Sequence, residues 1–473
     1  MYHIAKRALA TVVLFLLSEG YHSSMPPPQP KPAKKISFPT YITTDLANGL
    51  RILIIEHHEQ PLVSFRFLVK SGCVDDGGLP GLASLAGELL TKGTKSRPAV
   101  QIAEEIDYVG GQLVSGADWD ATYANATVLK KHLDVGLSLL GDVTLNPIFA
   151  EDEVERARQQ RLTTLLQRKD EAGYLAEVKL TAAVFEHHPY ANPQIGTEQS
   201  VKALKREDFL RFHQTHFVPN NALLAVVGDI TAADMMPKVE SVFGGWKRQA
   251  LPNELIQNPS DLERTAVHIV DKPGAVQSAI RVGHVGIARK SEDFVPVAVL
   301  NTLLGGYFNS RINLNLREGK GYTYGAQTTF DVRKFRGPFV ASADVRNAVT
   351  DSAITEVLYE LERIRKEPVT PEELDMVKRF IVGSFPLQIE TPNQIASKVI
   401  DLELYDLPRD FYDTFNDHVE RIGAQDILRV AQACLHPDRV AIVVSGNSKE
   451  ITSKLTKFGP VEVVDADGKP IAR

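Results

Sequence analysis

SFRFLVKSG, residues 64–72, reads as a β-strand running into a turn, and the chain carries this stretch twice. Val63, Phe65, Phe67 and Val69 alternate with Ser64, Arg66 and Leu68, the period of two that turns one face of a strand toward a core. SAIRVGHVG (278–286) repeats it, with Ser and Gly eight apart in both copies. A second pair keeps the same order: PNNALLAVVG (219–228) and PDRVAIVVSG (437–446) each hold Pro and Gly nine apart. The offsets between copies, 214 and 218 residues, nearly agree, which marks an internal duplication.

Helices follow the leading strands. In DSAITEVLYELERIRKE (351–367), Ile354, Val357, Leu358, Leu361 and Ile364 form one apolar stripe. TPEEL (370–374) starts another helix, with Thr370 as cap, Pro371 at the first position and Glu373 reaching back to the cap. At 473 residues the chain is too long for one ordinary core. The pattern predicts an α+β protein of two related α/β halves, residues 41–248 and 264–473, with the linker 249–263 inside the polar stretch 247–265.

The composition, 43% hydrophobic and 24% charged, is that of a soluble globular protein. A net charge of -6 and the lack of a long Lys/Arg run after residue 40 speak against nucleic acid as a partner. Lys6 and Arg7 precede the apolar run Ala8–Leu17, which is too short to span a bilayer and reads as the core of a signal peptide over residues 1–24. Residues 25–40 are a proline-rich, extended spacer. Export to the bacterial periplasm is therefore expected, with no membrane span in the mature chain. Cys73 and Cys434 lie in opposite halves and read as small buried hydrophobes.

GLASLAGELLTKGT (81–94), placed after a glycine-rich turn and NGLRILIIEHHEQPLVSFRFLVKSG (48–72), resembles the zinc-binding helix of the pitrilysin/insulinase family of metallopeptidases. Their motif is the inverted H-x-x-E-H. The resemblance runs from about Ile42 to about Gly446. It implies two metallopeptidase-like halves forming half of a clam-shaped chamber. Where the family carries His, Glu and His, this chain has Ser84, Gly87 and Glu88. The family's distant Glu ligand, on the helix of NPIFAEDEVERARQQRL, falls near Thr163 or Thr164. A catalytic zinc needs about three protein ligands and one open position. Ser and Thr hydroxyls are poor ligands, and Gly87 offers no general base, so no metal is expected in this chain. His57 and His58, His187 and His188, and His213 with His216 are the other candidate ligands, and all read as surface or packing histidines.

LLGGYFNSRINLNLREGKGYTYGA (303–326) resembles the family's second signature. Phe308, Ile312 and Leu316 recur every four residues, which predicts a short buried helix face. YTYGAQTTFDV is expected to continue as a strand, and Gly305 and Gly306 to form a loop that lets backbone approach a bound peptide. Spacing does not choose between Tyr322 and Tyr324 beside Arg317; the resemblance picks Arg317 and Tyr324, a substrate-holding pair. A guanidinium offers a fixed fan of donors and a phenol adds one more. A plain reading of Arg317 as a surface ion pair and of the tyrosine as core stands beside this one.

The resemblance thus implies a zinc-free subunit of a heterodimeric peptidase, with zinc on a partner bearing H-x-x-E-H and an unfolded peptide as substrate, which adds a strand to a sheet edge. The alternative is a non-catalytic peptide-binding or scaffold protein. A self-sufficient hydrolase has no support, since G-x-S-x-G is absent and neither Cys has a Cys/His setting.

Overall fold

A computed structural model describes residues 37–252 and 255–471. The segment read as a signal peptide, and the spacer up to residue 36, lie outside the described residues. The first half contains β1 (Ile42–Asp45), β2 (Arg51–Glu56), β3 (Leu62–Val69), α1 (Leu82–Leu89), α2 (Ala99–Tyr108), β4 (Gln112–Ala117) and β5 (Thr122–Leu129). It continues with α3 (Leu133–Leu145), α4 (Glu151–Arg168), α5 (Ala172–Phe185), α6 (Glu198–Ala203), α7 (Arg206–His216), β6 (Ala222–Gly228) and α8 (Ala232–Phe243).

The second half contains β7 (Ala266–Asp271), β8 (Gln277–Val285), α9 (Phe294–Asn301), α10 (Arg311–Asn313), β9 (Ala326–Phe330) and β10 (Pro338–Arg346). Then come α11 (Thr350–Lys366), α12 (Pro371–Ser384), α13 (Pro392–Leu404), α14 (Phe411–Arg421), α15 (Ala424–Cys434), β11 (Ala441–Gly446), α16 (Ser448–Leu455) and β12 (Val461–Val464). From β2 to α8 and from β7 to α16 the two lists match element for element.

Each half folds around one six-stranded sheet, in the orders β1-β2-β6-β3-β5-β4 and β12-β7-β11-β8-β10-β9. The repeated stretches supply equivalent strands: β3 and β8 take the same place, and β6 and β11 pair antiparallel with them. Only the outermost strand differs. β1 precedes its half and runs antiparallel to β2, whereas β12 ends its half and runs parallel to β7. The helix starts follow the sequence: Thr370 accepts from the Glu373 N–H while the Glu373 carboxylate takes the Thr370 N–H.

Alternation along β3 turns Val63, Phe65, Phe67 and Val69 into a core with the half's own helices. The opposite face is buried as well, which a period of two does not announce. Leu68, together with Leu53 and Ile55 of β2 and Leu223, Ala225 and Val227 of β6, is covered by Ile395, Val399 and Ile400 of α13, a helix of the second half. The arrangement is reciprocal. Leu175, Ala176, Leu180 and Val184 of α5, from the first half, cover Ala279 and Val285 of β8 and Ala441 and Val443 of β11. Each sheet is thus sandwiched between its own helices and one helix lent by the other half.

Polar contacts register the exchange. Asp120 accepts from the Tyr190 hydroxyl at 2.5 Å and from the Lys334 N–H at 2.7 Å, joining the two halves. Arg51 pairs with Glu403 at 2.7 Å. The Arg333 guanidinium lies over Trp119 at 4.1 Å and Tyr190 at 4.6 Å. Cys73 and Cys434 are both free and buried. Among the described residues no helix is long and apolar enough to cross a membrane.

The lent helix makes a specific prediction. Leu180 is 1% exposed and its methyl groups stand over Gly283 of β8. Leu180→Ala is expected to cost about 2–5 kcal/mol, the range for emptying a packed site. Urea unfolding followed by circular dichroism reads this as a lower midpoint; an unchanged midpoint would remove α5 from the stability of the second half.

Candidate functional site

In the first half, the helix that resembles a zinc helix begins at a crowded crossing. Gly81 adopts φ +94°, and a Cβ there would stand 3.0 Å from Gly196. Asp76 caps the start of α1: its two carboxylate oxygens accept the N–H groups of Gly81 and Ala83, each at 2.8 Å. Burial pushes the Asp76 carboxyl up to about 7 against the pull of those two donors. Gly87 sits on the face of α1 that meets the edge strand β4. A Cβ on Gly87 would lie 2.4 Å from the Gly116 carbonyl carbon and 2.6 Å from its oxygen. No side chain fits, so the place where the family keeps a general base is filled by backbone.

Ser84 and Glu88 are held by a residue that sequence reasoning passed over. The Arg161 guanidinium on α4 donates to Ser84 Oγ at 3.2 Å, to Glu88 Oε2 at 2.9 Å and to the Ile195 carbonyl at 3.1 Å. Its side chain is 10% exposed. A fixed positive group therefore stands against the positions where the family's ligands would hold a cation. Thr163 and Thr164, by contrast, turn their hydroxyls back onto the Gln159 and Gln160 carbonyls of their own helix. Arg161 lies one helical turn before Thr164 and so shares its side of α4, which was the available signal.

These residues do not fit zinc. One carboxylate, already paired to a guanidinium, and one hydroxyl do not make a ligand set. Among the described residues there is no group of three or more His, Cys, Asp or Glu that could hold a metal. Four of the six candidate histidines are engaged elsewhere. His213 is half-buried, bonded to the Thr144 carbonyl at 2.8 Å, and loss of solvent around its ring pushes its pKa down to about 4. His216 lies against Phe212, with ring centroids 4.8 Å apart. His58 pairs with Asp229 at 2.7 Å on the surface, and His188 packs among Phe185, Tyr190 and Phe335.

The second half repeats the glycine contact. Ser84, Gly87 and Glu88, moved by 218 residues, the larger of the two offsets, fall on Thr302, Gly305 and Gly306. Gly305 is buried on a π-helical turn, and a Cβ there would lie 2.4 Å from the Thr328 nitrogen of β9. So Gly305 and Gly306 are helical, not a loop, and Gly305 is required by packing on the edge strand. The first half closes its helix onto β4 through Gly87 in the same manner.

A cavity of about 470 Å³ opens beside this turn, and it brings together Gly305, Gly306, Arg317 and Tyr324. Two local expectations change here. Phe308 is 61% exposed, outside the short helix whose Ile312 and Leu316 are buried. Its ring instead carries the Arg317 guanidinium, 4.5 Å above the centroid, a cation–π contact that orients it. The strand begins only at Ala326, so Tyr322 and Tyr324 lie in the preceding turn. There they part: Tyr322 packs on the core, while Tyr324 is 94% exposed at the cavity. Thr323 pins the turn, its hydroxyl donating to the Asp344 carbonyl at 2.8 Å. Arg317 also pairs with its neighbour Glu318 at 3.4 Å, an exposed contact of small energy. The cavity can thus present a guanidinium and a phenol to a peptide carbonyl or a carboxylate.

Family models match two consecutive stretches of the chain. Residues 51–198 match the family described as "Insulinase (Peptidase family M16)", and residues 203–381 match "Peptidase M16 inactive domain". An uncharacterized zinc protease of Mycobacterium leprae is 29% identical over 368 residues, covering 76% of this chain and 82% of the relative. The non-peptidase homolog YmxG of Helicobacter pylori is 22% identical over 416 residues, 86% of this chain and 95% of the relative. Among solved structures, a peptidase M16 inactive domain of Pseudomonas fluorescens superposes with a TM-score of 0.81 at 25% identity, covering 86% of this chain and 98% of that one. The first half of the periplasmic protease PqqL of Escherichia coli shares the fold, with a TM-score of 0.70 at 17% identity over 89% of this chain and 95% of that one.

Restoring the motif should not restore the metal. The triple change Ser84→His, Gly87→Glu, Glu88→His is expected to bind no stoichiometric zinc by elemental analysis, and Gly87→Glu alone to cost about 3 kcal/mol through overpacking against Gly116. A stable triple variant holding one zinc per chain would overturn this account. Asp76 gives a pH signature. Its native carboxyl keeps a proton up to about 7 that the unfolded chain loses near 3.8, so its stabilising share is complete at low pH and drains away as pH rises through that window. The wild-type chain should lose about 1.4 kcal/mol per pH unit relative to Asp76→Asn between about pH 4.5 and 7. Unfolding free energies of both proteins across that range check the slope.

Proposed function

Because the chain belongs to the insulinase family of peptidases, peptidase family M16, we propose that it serves as the zinc-free subunit of a two-chain metallopeptidase. A partner bearing H-x-x-E-H supplies the zinc, and Arg317 and Tyr324 of this chain hold an unfolded peptide beside it. One observation carries the reading: the first half's metal position is filled by Arg161, whereas the cavity of the second half stays open, with the Tyr324 ring 94% exposed. Donors aimed where negative charge develops can be worth about 10²–10³ in rate for a single group. A pure scaffold has no use for them.

Strand addition at β9 is closed in this reading. The Ala326 N–H is taken by Asn313 Oδ1 at 3.0 Å, and Gly305 presses on Thr328. The peptide is therefore held by side-chain donors rather than by an extra rung at that edge. That the first half of a longer protease shares this fold supports pairing of one such two-sheet unit with another. Residues 1–24 act as the signal that takes the chain to the bacterial periplasm. A second reading, peptide binding without hydrolysis, is favoured by the likeness to a non-peptidase homolog.

Affinity capture of the mature chain from its native envelope fraction, with mass spectrometry of what comes with it, tests the pairing. An equimolar H-x-x-E-H protein is expected. If the chain returns alone or only with itself, the two-chain peptidase is abandoned for the binding reading. Within the complex, Arg317→Ala and Tyr324→Phe should each lower kcat/KM by about 10²-fold while assembly is unaffected; near-normal turnover by either variant would remove that residue from the site.

A further inference from the structure

The cavity holds a second guanidinium that the Arg/Tyr signature does not include. Arg281 stands in the middle of β8, opposite Ser342 of β10, and lines the same space of about 470 Å³ as Arg317 and Tyr324. Its Nη1 donates to the Ile280 carbonyl at 2.8 Å and reaches the Asp344 carboxylate at 3.3 Å. Nε and Nη2 have no hydrogen-bond partner among the described residues. Its side chain is 17% exposed and lies against Gly173 of the lent helix α5; a Cβ on that glycine would stand 3.0 Å from Nη2. The exchanged helix therefore leaves room for this guanidinium through one missing side chain.

The charge balance of the cavity is uneven. Two arginines line it, and Asp344 is the one carboxylate among its lining residues. Asp344 is 61% exposed, so water competes strongly for it and its bond to Arg281 is weak. Glu318, the partner of Arg317, is 59% exposed and lies outside the lining. Net positive charge is left in a concave polar site of a chain whose overall charge is -6. Two guanidinium groups with open donors are matched by a carboxylate, which takes forked hydrogen bonds from arginine better than a neutral carbonyl does.

We propose that Arg281 and Arg317 make this cavity a carboxylate-reading site, so that the peptides it prefers carry either an acidic side chain or a free C-terminal carboxylate at this position. The inference rests on the reading of the cavity as a peptide site and adds the class of peptide. Arg281 is a specificity residue in it, and Asp344 is an internal competitor for the same donors.

The test uses the mature full chain and three dye-labelled peptides with one neutral core sequence, followed by fluorescence anisotropy. One is amidated and uncharged, one is the same with a free C-terminus, and one is amidated with a single internal Glu. At least one carboxylate peptide should bind roughly 5- to 10-fold tighter than the uncharged one, and which one does so identifies the source of the carboxylate. Arg281→Gln should bring that ratio close to one, Arg281→Lys should keep part of it, and Asp344→Asn, an exposed change that does not threaten folding, should raise it. A ratio near one in the wild-type chain, or a ratio untouched by both Arg281→Gln and Asp344→Asn, overturns the proposal while leaving peptide binding standing. Failure of all three peptides to bind overturns the peptide reading itself, and this proposal with it.

Discussion

Neither sheet of this protein is complete without a helix from the other half. α13 lies across β3 and β6, and α5 lies across β8 and β11, so the two outer apolar faces are buried only when both halves are present. Fully burying one Leu or Val contributes about 1.5–3 kcal/mol, and each lent helix brings several such side chains. The constraint fixes more than stability. It sets where Asp120 meets Lys334, where Arg333 stacks on Trp119, and how α5 passes Arg281 with Gly173 at the point of contact. The geometry of the candidate cavity is therefore partly written in the other half of the chain.

The two halves also share a smaller device, a glycine that lets a helix lie on an edge strand. In the second half it is Gly305 on β9, and in the first half it is Gly87 on β4. A zinc-dependent relative needs a glutamate at the position of Gly87. Here backbone occupies that volume, and the positive charge beside Ser84 and Glu88 comes from Arg161. A guanidinium cannot polarise water as a metal does, but it satisfies Glu88 and ties α1 to α4. This place is a structural joint between the two helices.

In the first half the helix α1 is tied into the packing by Arg161, and in the second half the cavity gathers Arg317 and Tyr324. Arg317 is oriented from below by Phe308, and Tyr324 is held at the surface by a turn that Thr323 pins to β10. Tyr324 is exposed and Arg317 half-buried, both carried on a well-packed frame.

The sequence by itself determined the duplication, the α+β class and the loss of the metal set. Two strand signatures at nearly equal offsets are local facts that need no coordinates, and the family resemblance sets Ser84, Gly87 and Glu88 where ligands are expected. It also carried the capping box at Thr370, because a cap is decided within four residues. Tertiary structure decided the rest. Alternation in β3 marks which face meets its own helices but is silent about a helix that arrives some 330 residues later to cover the other. Spacing left Tyr322 and Tyr324 equal, and the start of β9 at Ala326 separated them. No local pattern singles out Arg161 or Arg281; folding sets one against Glu88, 73 residues away, and the other in the cavity of Arg317. Local pattern reports backbone preference and one buried face; which distant side chain fills a given space is fixed only when the whole chain packs.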